Sequence, residues 1–309
     1  MSAPRKQGMP FDVMVAGPVY CDLIFSGLED LPHFGTELFA PHLLMTAGGS
    51  AITAVALSRL GNAVTLVADV GGDLAGETVA ALLAVEGVDT GRLSVHRGAT
   101  TPITAVLSTK NDRAFVTHLP SYPAASSITS ALAGSEARHL HVGGFPLALE
   151  QPGALSLASS HSMTTSFDPG WHESSLRAPE VVNYALTADI FMPSLLEAQV
   201  IVAEPLASAA QAASALAALR DGRLSIVKDG ARGAAAAQDG NVVTALPPAV
   251  DVVDTTGAGD VFDAVFLGSW LAKRPLQECL RRAVIGGAMA VTARGGFSGA
   301  PYEEDLGSG

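Results

Sequence analysis

The sequence predicts an α/β fold, a doubly wound and mostly parallel sheet flanked by helices, with a small β-sheet lid. Strand-like apolar runs alternate with helical patterns along most of the chain, which is the order that builds a parallel sheet covered by helices. Hydrophobic residues make up 48% of the 309 residues and aromatic residues only 6%. Such an aliphatic core suits helices packed on parallel strands. We expect one domain over residues 1–309, in which residues 1–10 form a disordered tail.

In the first half of the chain, short apolar runs bounded by glycines define the expected elements. In chain order they are a strand over residues 12–17, a helix over 51–60, a strand over 64–70 and a helix over 74–85. Residues 18–46 and 93–119 show β-type alternation and turns, so we assign both segments to the lid. Residues 110–113 predict a hairpin turn within it, and part of residues 120–135 predicts a helix.

In the second half of the chain, the alternation of strand and helix is regular. The expected elements are strands over residues 140–142, 166–168, 190–192 and 225–228, and helices over 207–219, 261–271 and 277–292. Because ligands of such sheets bind beyond the carboxyl ends of the strands, residues at these ends should converge on one edge. They are Gly17, Gly143, Gly144, Asp168, Pro193, Asp229, Gly230 and Asp254.

The most informative segment is DTTGAGD, residues 254–260, which precedes an apolar helical pattern. Valines at 250, 252 and 253 predict a buried segment before it. Free amides and the positive end of the dipole at a helix N-terminus attract anions, and glycines let the backbone approach closely. A carboxylate there suits a base that takes the proton of a hydroxyl attacking a phosphate. The alternative is an ordinary helix N-cap, but seven residues in this arrangement favour the phosphate site.

Composition argues against several classes of function. A net charge of −12 disfavours nucleic acid as a partner. The two cysteines, Cys21 and Cys279, are far apart and lack metal-ligand spacing, so structural zinc is not expected. No run of 18 apolar residues is present, so no membrane span is predicted. We expect a cytoplasmic protein.

Several segments together resemble the ribokinase-like (PfkB) carbohydrate and nucleoside kinases. DTTGAGD resembles the signature of this family near the C-terminus, and GGSAITAVALSRLG, residues 48–61, resembles its N-terminal signature. Residues 68–89 resemble the segment that follows the N-terminal signature. VKDGARGA, residues 227–234, resembles the strand and turn on the nucleotide side. The resemblance runs over residues 12–305.

The resemblance implies the catalytic groups. Asp260 would be the base that deprotonates the substrate hydroxyl. The backbone amides of Gly257, Ala258 and Gly259 would hold the charge of the transferring γ-phosphoryl group. This role agrees with the chemistry of phosphoryl transfer, which depends mainly on positioning and electrostatic stabilisation.

The resemblance also implies substrate contacts. Asp22 would accept hydrogen bonds from sugar hydroxyls, although its residue type alone fits an exposed loop carboxylate equally well. Gly48 and Gly49 would form a hinge and touch the substrate, and the alternative is an ordinary turn before a helix. Ile52 and Thr53 stand where the family often has an asparagine that grips the sugar, so the pocket is expected to be less polar.

The cofactors implied by the resemblance are ATP, Mg²⁺ and a monovalent cation, K⁺. The residues matching the nucleotide site are Lys228, Gly230, Gly233, Thr256, Gly257 and Gly259. Glu197 would organise Mg²⁺, but Ser194 replaces the asparagine that usually precedes it by three residues. The positions matching the K⁺ site are Asp254 and Thr256, with the backbone oxygens of Ala290, Ala293, Gly295 and Gly299.

A further group of polar and aromatic residues could line the pocket, but taken singly each fits a structural role as well or better. They are Tyr20, Arg113, His118, His141, Phe145, Trp171 and His172. A sugar-binding glutamate expected after the strand near residue 140 is absent, since only Gly143 and Gly144 follow it. A bulkier or more apolar substrate, including a nucleoside, is therefore plausible.

The leading hypothesis is an ATP-dependent kinase that phosphorylates a hydroxymethyl group of a sugar or sugar derivative. The alternatives are a nucleoside kinase of the same family and a non-catalytic sensor that binds nucleotide or sugar. A dinucleotide-dependent oxidoreductase is disfavoured because no GxGxxG follows the first strand. Exposed strands of the lid would be covered if they paired with a second lid, so we expect a homodimer formed through the lid.

Overall fold

The computed structural model of the protein describes residues 11–109, 113–122, 128–132 and 137–307. Its strands are β1 Phe11–Ala16, β2 Val19–Leu28, β3 His42–Gly49, β4 Val64–Gly71, β5 Leu93–His96, β6 Ile103–Thr109, β7 Arg113–His118, β8 Ala137–Gly143, β9 Thr164–Asp168, β10 Ile190–Phe191, β11 Leu224–Lys228, β12 Ala234–Gln238 and β13 Asn241–Ala245. The expected tail over residues 1–10 and most of the expected turn over 110–113 lie outside the described residues.

The helices alternate with these strands. They are α1 Ser50–Arg59, α2 Leu74–Val85, α3 Ile128–Leu132, α4 Phe145–Glu150, α5 Ala154–Ser160, α6 Glu173–Leu176, α7 Pro179–Thr187, α8 Leu195–Val202, α9 Ala209–Leu219, α10 Ala258–Leu271 and α11 Leu276–Ala290, with 3₁₀ turns at Gly230–Arg232 and Glu303–Leu306. The bounds of α2 match the sequence prediction, because a capping aspartate and a closing glycine frame its apolar pattern.

The large sheet has the order β13-β12-β11-β10-β9-β8-β1-β4-β5 within the described residues. The strands from β11 to β5 pair in parallel, and β12 and β13 add an antiparallel edge. Alternate residues of β1 belong to two apolar clusters, one on each face of the sheet: Val13 and Val15 to one, Met14 and Ala16 to the other. This burial on both faces confirms the predicted α/β class with helices on both sides of the sheet.

A second sheet with the order β3-β2-β6-β7 covers one edge and is called the lid sheet below. Strands β2 and β6 are parallel, and the outer pairs are antiparallel. The expected lid segment 93–119 is corrected at its start: Leu93–His96 pairs with β4 and extends the large sheet. Alternation of side chains alone cannot say which sheet a short edge strand joins.

Two further expectations differ from the structure. The edge hairpin β12–β13 was not predicted, because the run of alanines in β12 lacks the β-branched residues that mark strands. The valines at 250, 252 and 253 are exposed in an irregular segment, so they do not end a buried strand. Asp254 consequently lies in the loop that leads into α10. The other residues predicted at strand ends lie within two residues of the end of a strand.

Helix α10, which begins at the DTTGAGD motif, is held rigidly against α11. A Cβ on Gly286 would stand 2.5 Å from a methyl carbon of Val265, so only glycine permits this close approach. Val261, Val265 and Phe266 are buried in the same apolar cluster as the inner face of α1. The packing therefore fixes the N-terminus of α10 at the edge that the lid sheet covers.

Candidate active site

Residues 254–259, called the anion loop below, present backbone amides at the N-terminus of α10. Gly257 has a φ of 74°, and a Cβ there would stand 2.5 Å from the carbonyl oxygen of Gly296. Among the described residues, the amides of Gly257 and Gly259 have no acceptor, and that of Ala258 makes only a 3.5 Å contact with the Thr255 oxygen. The loop therefore keeps its donors available for an anion, as such helix termini do.

Asp260 lies in the first turn of α10, beside these amides, and is partly exposed. The Thr53 hydroxyl donates to its Oδ1 at 3.4 Å. Burial, and then the negative charge of Asp168, raise the pKa of Asp260 to about 7. A carboxyl group with such a pKa can accept a proton near neutral pH more readily than an ordinary aspartate. The contact from Thr53 was not predicted from the sequence.

A buried ion cluster lies directly beneath the anion loop. Lys228 Nζ contacts Asp168 Oδ2 at 2.8 Å and the two carboxylate oxygens of Asp263 at 3.0 and 2.9 Å. Burial alone would lower the pKa of Lys228, but Asp168 and Asp263 reverse this and raise it. Burial raises the pKa of Asp263 well above its ordinary value, whereas Lys228 holds that of Asp168 low against the effect of burial.

The structure gives Lys228 inward contacts that the sequence did not indicate. Its Nζ lies 3.7 Å from the point where a Cβ on Gly259 would stand, and it faces carboxylates below the loop. Asp263 was missed altogether, although an aspartate three residues after Asp260 on an apolar helix is itself a signal of a buried partner. Gly230 and Gly233 flank the turn after β11, and a Cβ on Gly233 would stand 2.2 Å from the Ala245 oxygen.

Asp22 lies on the inner face of the lid sheet and is only 7% exposed. It pairs across the strands with Thr46 on β3 and Thr104 on β6. A Cβ on Gly48 would stand 2.1 Å from Asp22 Oδ2, so the glycine makes room for this carboxylate. Burial, with a further contribution from the charge of Asp254, raises the pKa of Asp22 to about 6. The inner face thus presents a carboxylate between two threonines.

Ser194 and Glu197 form a capping box at the start of α8. The Ser194 amide donates to Glu197 Oε2 at 2.7 Å, and the Glu197 amide donates to Ser194 Oγ at 3.3 Å. Burial, and then Asp168, raise the pKa of Glu197. Over the described ranges, no group of three or more His, Cys, Asp or Glu residues is arranged to hold a metal ion. A metal here would need ligands from elsewhere, such as phosphates and water.

Asp254 is buried and makes four hydrogen bonds. Its Oδ2 accepts from the Gly295 amide at 3.0 Å, and its Oδ1 accepts from the Thr256 amide and hydroxyl at 2.9 and 2.7 Å. Arg113 Nη1, on β7 of the lid sheet, donates to the same Oδ1 at 2.7 Å. Of the other positions predicted for a cation, a Cβ on Gly299 would stand 2.8 Å from the Ala290 oxygen. Ala293 lies in the turn between them.

The buried histidines form a structural network. His139 contacts Thr164 Oγ1 at 2.8 Å and Ser166 Oγ at 2.7 Å, and His141 contacts the same Ser166 Oγ at 2.8 Å. Burial lowers the pKa of His139 to about 3 and that of His141 to about 4. Both rings are therefore neutral near pH 7 and serve as hydrogen-bond partners between β8 and β9. His118 contacts Thr100 Oγ1 at 3.0 Å.

Aromatic side chains lie near the glycines that end β3 and follow β8. Phe145 and His172 stack with ring centroids 5.1 Å apart and planes 19° apart. Trp171 beside them is 56% exposed. The Tyr20 ring packs against Gly49, where a Cβ would stand 2.9 Å from it.

A lidded α/β sheet with an open anion loop beside a carboxylate of raised pKa defines an enzyme class that handles phosphates. Residues 12–302 match the family described as pfkB family carbohydrate kinase. Because the match spans nearly the whole chain, the protein belongs to this family. The resemblance drawn from DTTGAGD and the accompanying segments is thereby confirmed.

Curated relatives are sugar kinases. The chain is 24% identical over 302 residues to a ribokinase of Haemophilus influenzae, covering 94% of this chain and 95% of that protein. It is 27% identical over 308 residues to a 2-dehydro-3-deoxygluconokinase of Bacillus subtilis, covering 92% and 90%. A match to an uncharacterized sugar kinase of Archaeoglobus fulgidus is 29% identical but spans only 46% of this chain and 55% of that protein.

Solved structures share the fold. The ribokinase of Arabidopsis thaliana complexed with ribose and ATP has a TM-score of 0.80 at 22% identity, covering 96% of this chain and 98% of that one. A putative ribokinase II from E. coli in complex with ATP and Mg²⁺ has a TM-score of 0.81 at 23% identity, with coverage of 96% and 97%. In the part of the chain that the structure describes, no helix has the length and apolarity to cross a bilayer.

Proposed function

We propose that the protein is an ATP-dependent phosphotransferase that phosphorylates a hydroxymethyl group of a sugar or sugar derivative. The observation that carries this proposal is the anion loop: the amides of Gly257 and Gly259 lack acceptors within the described chain, and Asp260 stands beside them with a pKa of about 7. An anion site joined to a poised base is what transfer of a phosphoryl group to an alcohol requires.

In this mechanism Asp260 takes the proton of the acceptor hydroxyl as the hydroxyl oxygen attacks the γ-phosphorus, and the bond between that phosphorus and the bridging oxygen breaks to release ADP. The amides of Gly257, Ala258 and Gly259 hold the charge that spreads over the phosphoryl oxygens in the transition state. The Lys228 cluster lies below the loop, where the ion pair between Lys228 and Asp263 of α10 keeps the start of that helix in position. The turn at Gly230 and Gly233, after β11, flanks the bound nucleotide.

Mg²⁺ fits the donors present, provided that ATP supplies most of its ligands. Mg²⁺ usually keeps several waters and binds through one or two carboxylates together with substrate phosphates, and Glu197 offers one such carboxylate. The ion, when bound, neutralises charge on the β- and γ-phosphates. Because the Ser194 amide donates to Glu197 Oε2, the carboxylate that would help to hold the ion is fixed in one rotamer.

The acceptor would lie between the lid sheet and the first turn of α10. Asp22 and its threonine neighbours suit hydroxyl groups, which favours a sugar, whereas the stacked Phe145 and His172 favour a nucleobase. A nucleoside kinase therefore stays as the second candidate. A non-catalytic sensor is disfavoured because it has no need of a base with a raised pKa. We place the reaction in the cytoplasm, where ATP is supplied.

The acceptor class can be tested by measuring ADP release from Mg·ATP over a panel of sugars, keto-acid sugars and nucleosides. We expect turnover with one class and formation of a phosphate ester, detected by mass spectrometry. Absence of turnover across the panel, together with ligand-induced thermal shifts, would support the sensor and overturn the kinase.

The pH profile provides a separate prediction. Because Asp260 must be ionised to accept a proton and its pKa is about 7, kcat/KM should rise about tenfold per pH unit below pH 7 and level off above it. Steady-state rates between pH 5 and 9 in buffers of constant ionic strength would show this. An ordinary aspartate would instead give a flat profile over that range.

The lid sheet also supports the proposed homodimer. Leu43, Met45 and Val116 are large, apolar and exposed, and the strand register puts all three on the outer face of the lid sheet, opposite Asp22. An exposed apolar face of this kind is typical of a surface that another protein covers. A second lid sheet packed on this face would supply this cover. Light scattering after size exclusion should give twice the 31.5 kDa mass of the chain, and Val116→Lys should reduce it to the monomer mass.

A further inference from the structure

Arg113 joins the lid sheet to the anion loop. Besides its bond to Asp254, its Nη1 donates to the Thr256 hydroxyl and its Nη2 donates to the Thr255 hydroxyl. The side chain is 24% exposed and its guanidinium lies 5.6 Å from the centroid of the Phe115 ring. Residues 254–256 of the anion loop are thus all held by one cation, which comes from the lid sheet.

Asp254 Oδ1 has no capacity left for a further ligand while Arg113 is docked, because it already accepts three hydrogen bonds, and Oδ2 accepts one from Gly295. An ionised carboxylate offers about four acceptor sites, and Gly295, Thr256 and Arg113 together supply four donors. Hydrogen bonds from Gly295 and Thr256, with the charge of Arg113, hold the pKa of Asp254 low although burial opposes this. A K⁺ ion at this carboxylate would stand within a few ångströms of a guanidinium and be repelled by it.

The expected K⁺ site therefore does not fit the docked arrangement of Asp254 and Thr256. We propose that the Arg113 guanidinium is the built-in cation of the anion loop: it neutralises Asp254, fixes Thr255 and Thr256, and makes the enzyme independent of monovalent cations. The inference deepens the proposed function, on which it rests, by assigning a positioning residue to the same loop. Arginine suits this role because it stays charged and its planar fork can bind several oxygens at once.

The test measures thermal unfolding of the full chain in 100 mM KCl, NaCl or choline chloride. The wild type should unfold at the same temperature in all three salts, because no K⁺ is bound. Arg113→Gln leaves Asp254 without its cation, so K⁺ should raise its unfolding temperature saturably, by about 2 °C or more at ten times the dissociation constant, and Na⁺ less. Arg177→Gln, which removes an exposed arginine paired with Glu173, is the matched control. Its unfolding temperature should be the same in all three salts.

Arg113→Lys separates charge from geometry. The lysine ammonium retains the positive charge but not the planar guanidinium geometry. K⁺ should therefore not raise the unfolding temperature of this variant, even if that temperature is lower than in the wild type. Saturable stabilisation of the wild type by K⁺ overturns the proposal, and so does indifference of a folded Arg113→Gln to K⁺. If Arg113→Gln folds in no salt, the wild-type titration decides by itself: K⁺ stabilisation contradicts the proposal and its absence supports it.

A kinetic measurement extends the same test to the reaction. With an acceptor from the ADP-release panel, wild-type kcat should be equal in KCl and choline chloride, whereas that of Arg113→Gln should be restored by K⁺. The thermal measurement needs neither ATP nor acceptor. A failed acceptor panel would therefore count against the proposed kinase activity and leave the result on the cation unchanged.

Discussion

Asp260→Asn should lower kcat by about 10²- to 10⁴-fold, the usual contribution of a positioned general base. The amide has nearly the shape of the carboxylate but cannot accept the acceptor proton. Because the anion loop amides are unchanged, the dissociation constant for Mg·ATP should stay within about twofold of the wild type. Steady-state kinetics and calorimetric titration of the nucleotide measure the two effects separately.

The matched control for this variant is Asp251→Asn, which makes the same chemical change at an exposed position of the preceding loop. It should retain wild-type kinetics. A turnover rate of Asp260→Asn close to that of the wild type would remove the base from the mechanism and with it the role of the raised pKa. Loss of nucleotide binding would instead show that the substitution disturbs the loop.

Lys228→Met should lower the free energy of unfolding by about 3–5 kcal/mol, the cost of breaking a buried ion pair on one side. The side chain of Lys228 is 12% exposed and that of Asp263 only 1%. Methionine fills the space but leaves Asp168 and Asp263 without their cation. Equilibrium unfolding in urea measures the change, as a lower midpoint at an unchanged slope.

The comparison for this variant is Lys273→Met, at an exposed position after α10, which should change stability by no more than about 0.5 kcal/mol. The double variant Lys228→Met, Asp263→Asn should recover part of the loss, since it removes one of the stranded carboxyl groups. A loss below about 1 kcal/mol in Lys228→Met would mean that the cluster does not hold buried charge.

The large elements and the anion loop could be predicted because local chemistry specifies them. Helix α2 is bounded by its capping aspartate and its closing glycine. In DTTGAGD the glycines indicate the backbone geometry of the loop, and the carboxylates indicate its chemistry. Asp22 and Gly48 were singled out as substrate contacts only through the family resemblance, and that role stays a prediction. The structure adds a contact that the sequence did not indicate: the Asp22 carboxylate fills the space that a side chain on Gly48 would need.

The contacts that were missed are those between segments distant in the chain. Lys228, Asp168 and Asp263 are up to 95 residues apart (from 168 to 263) and meet only after the sheet has formed. Arg113 meets Asp254 across 141 positions, and spacing along the chain carries no sign of such a pair. The β12–β13 hairpin was not predicted for a different reason. Alanine has little preference for strands, so the buried alanines of β12 give no strand pattern in the sequence.

Asp22 on β2 and Arg113 on β7 belong to one four-stranded sheet. In the proposed mechanism that sheet would carry both the group that faces the acceptor, Asp22, and the group that holds the anion loop, Arg113. Any displacement of the sheet as a body would alter both contacts together, so occupancy by one substrate should tighten the binding of the other. Such thermodynamic coupling is reciprocal, and it would favour formation of the ternary complex over wasteful binding of either substrate alone.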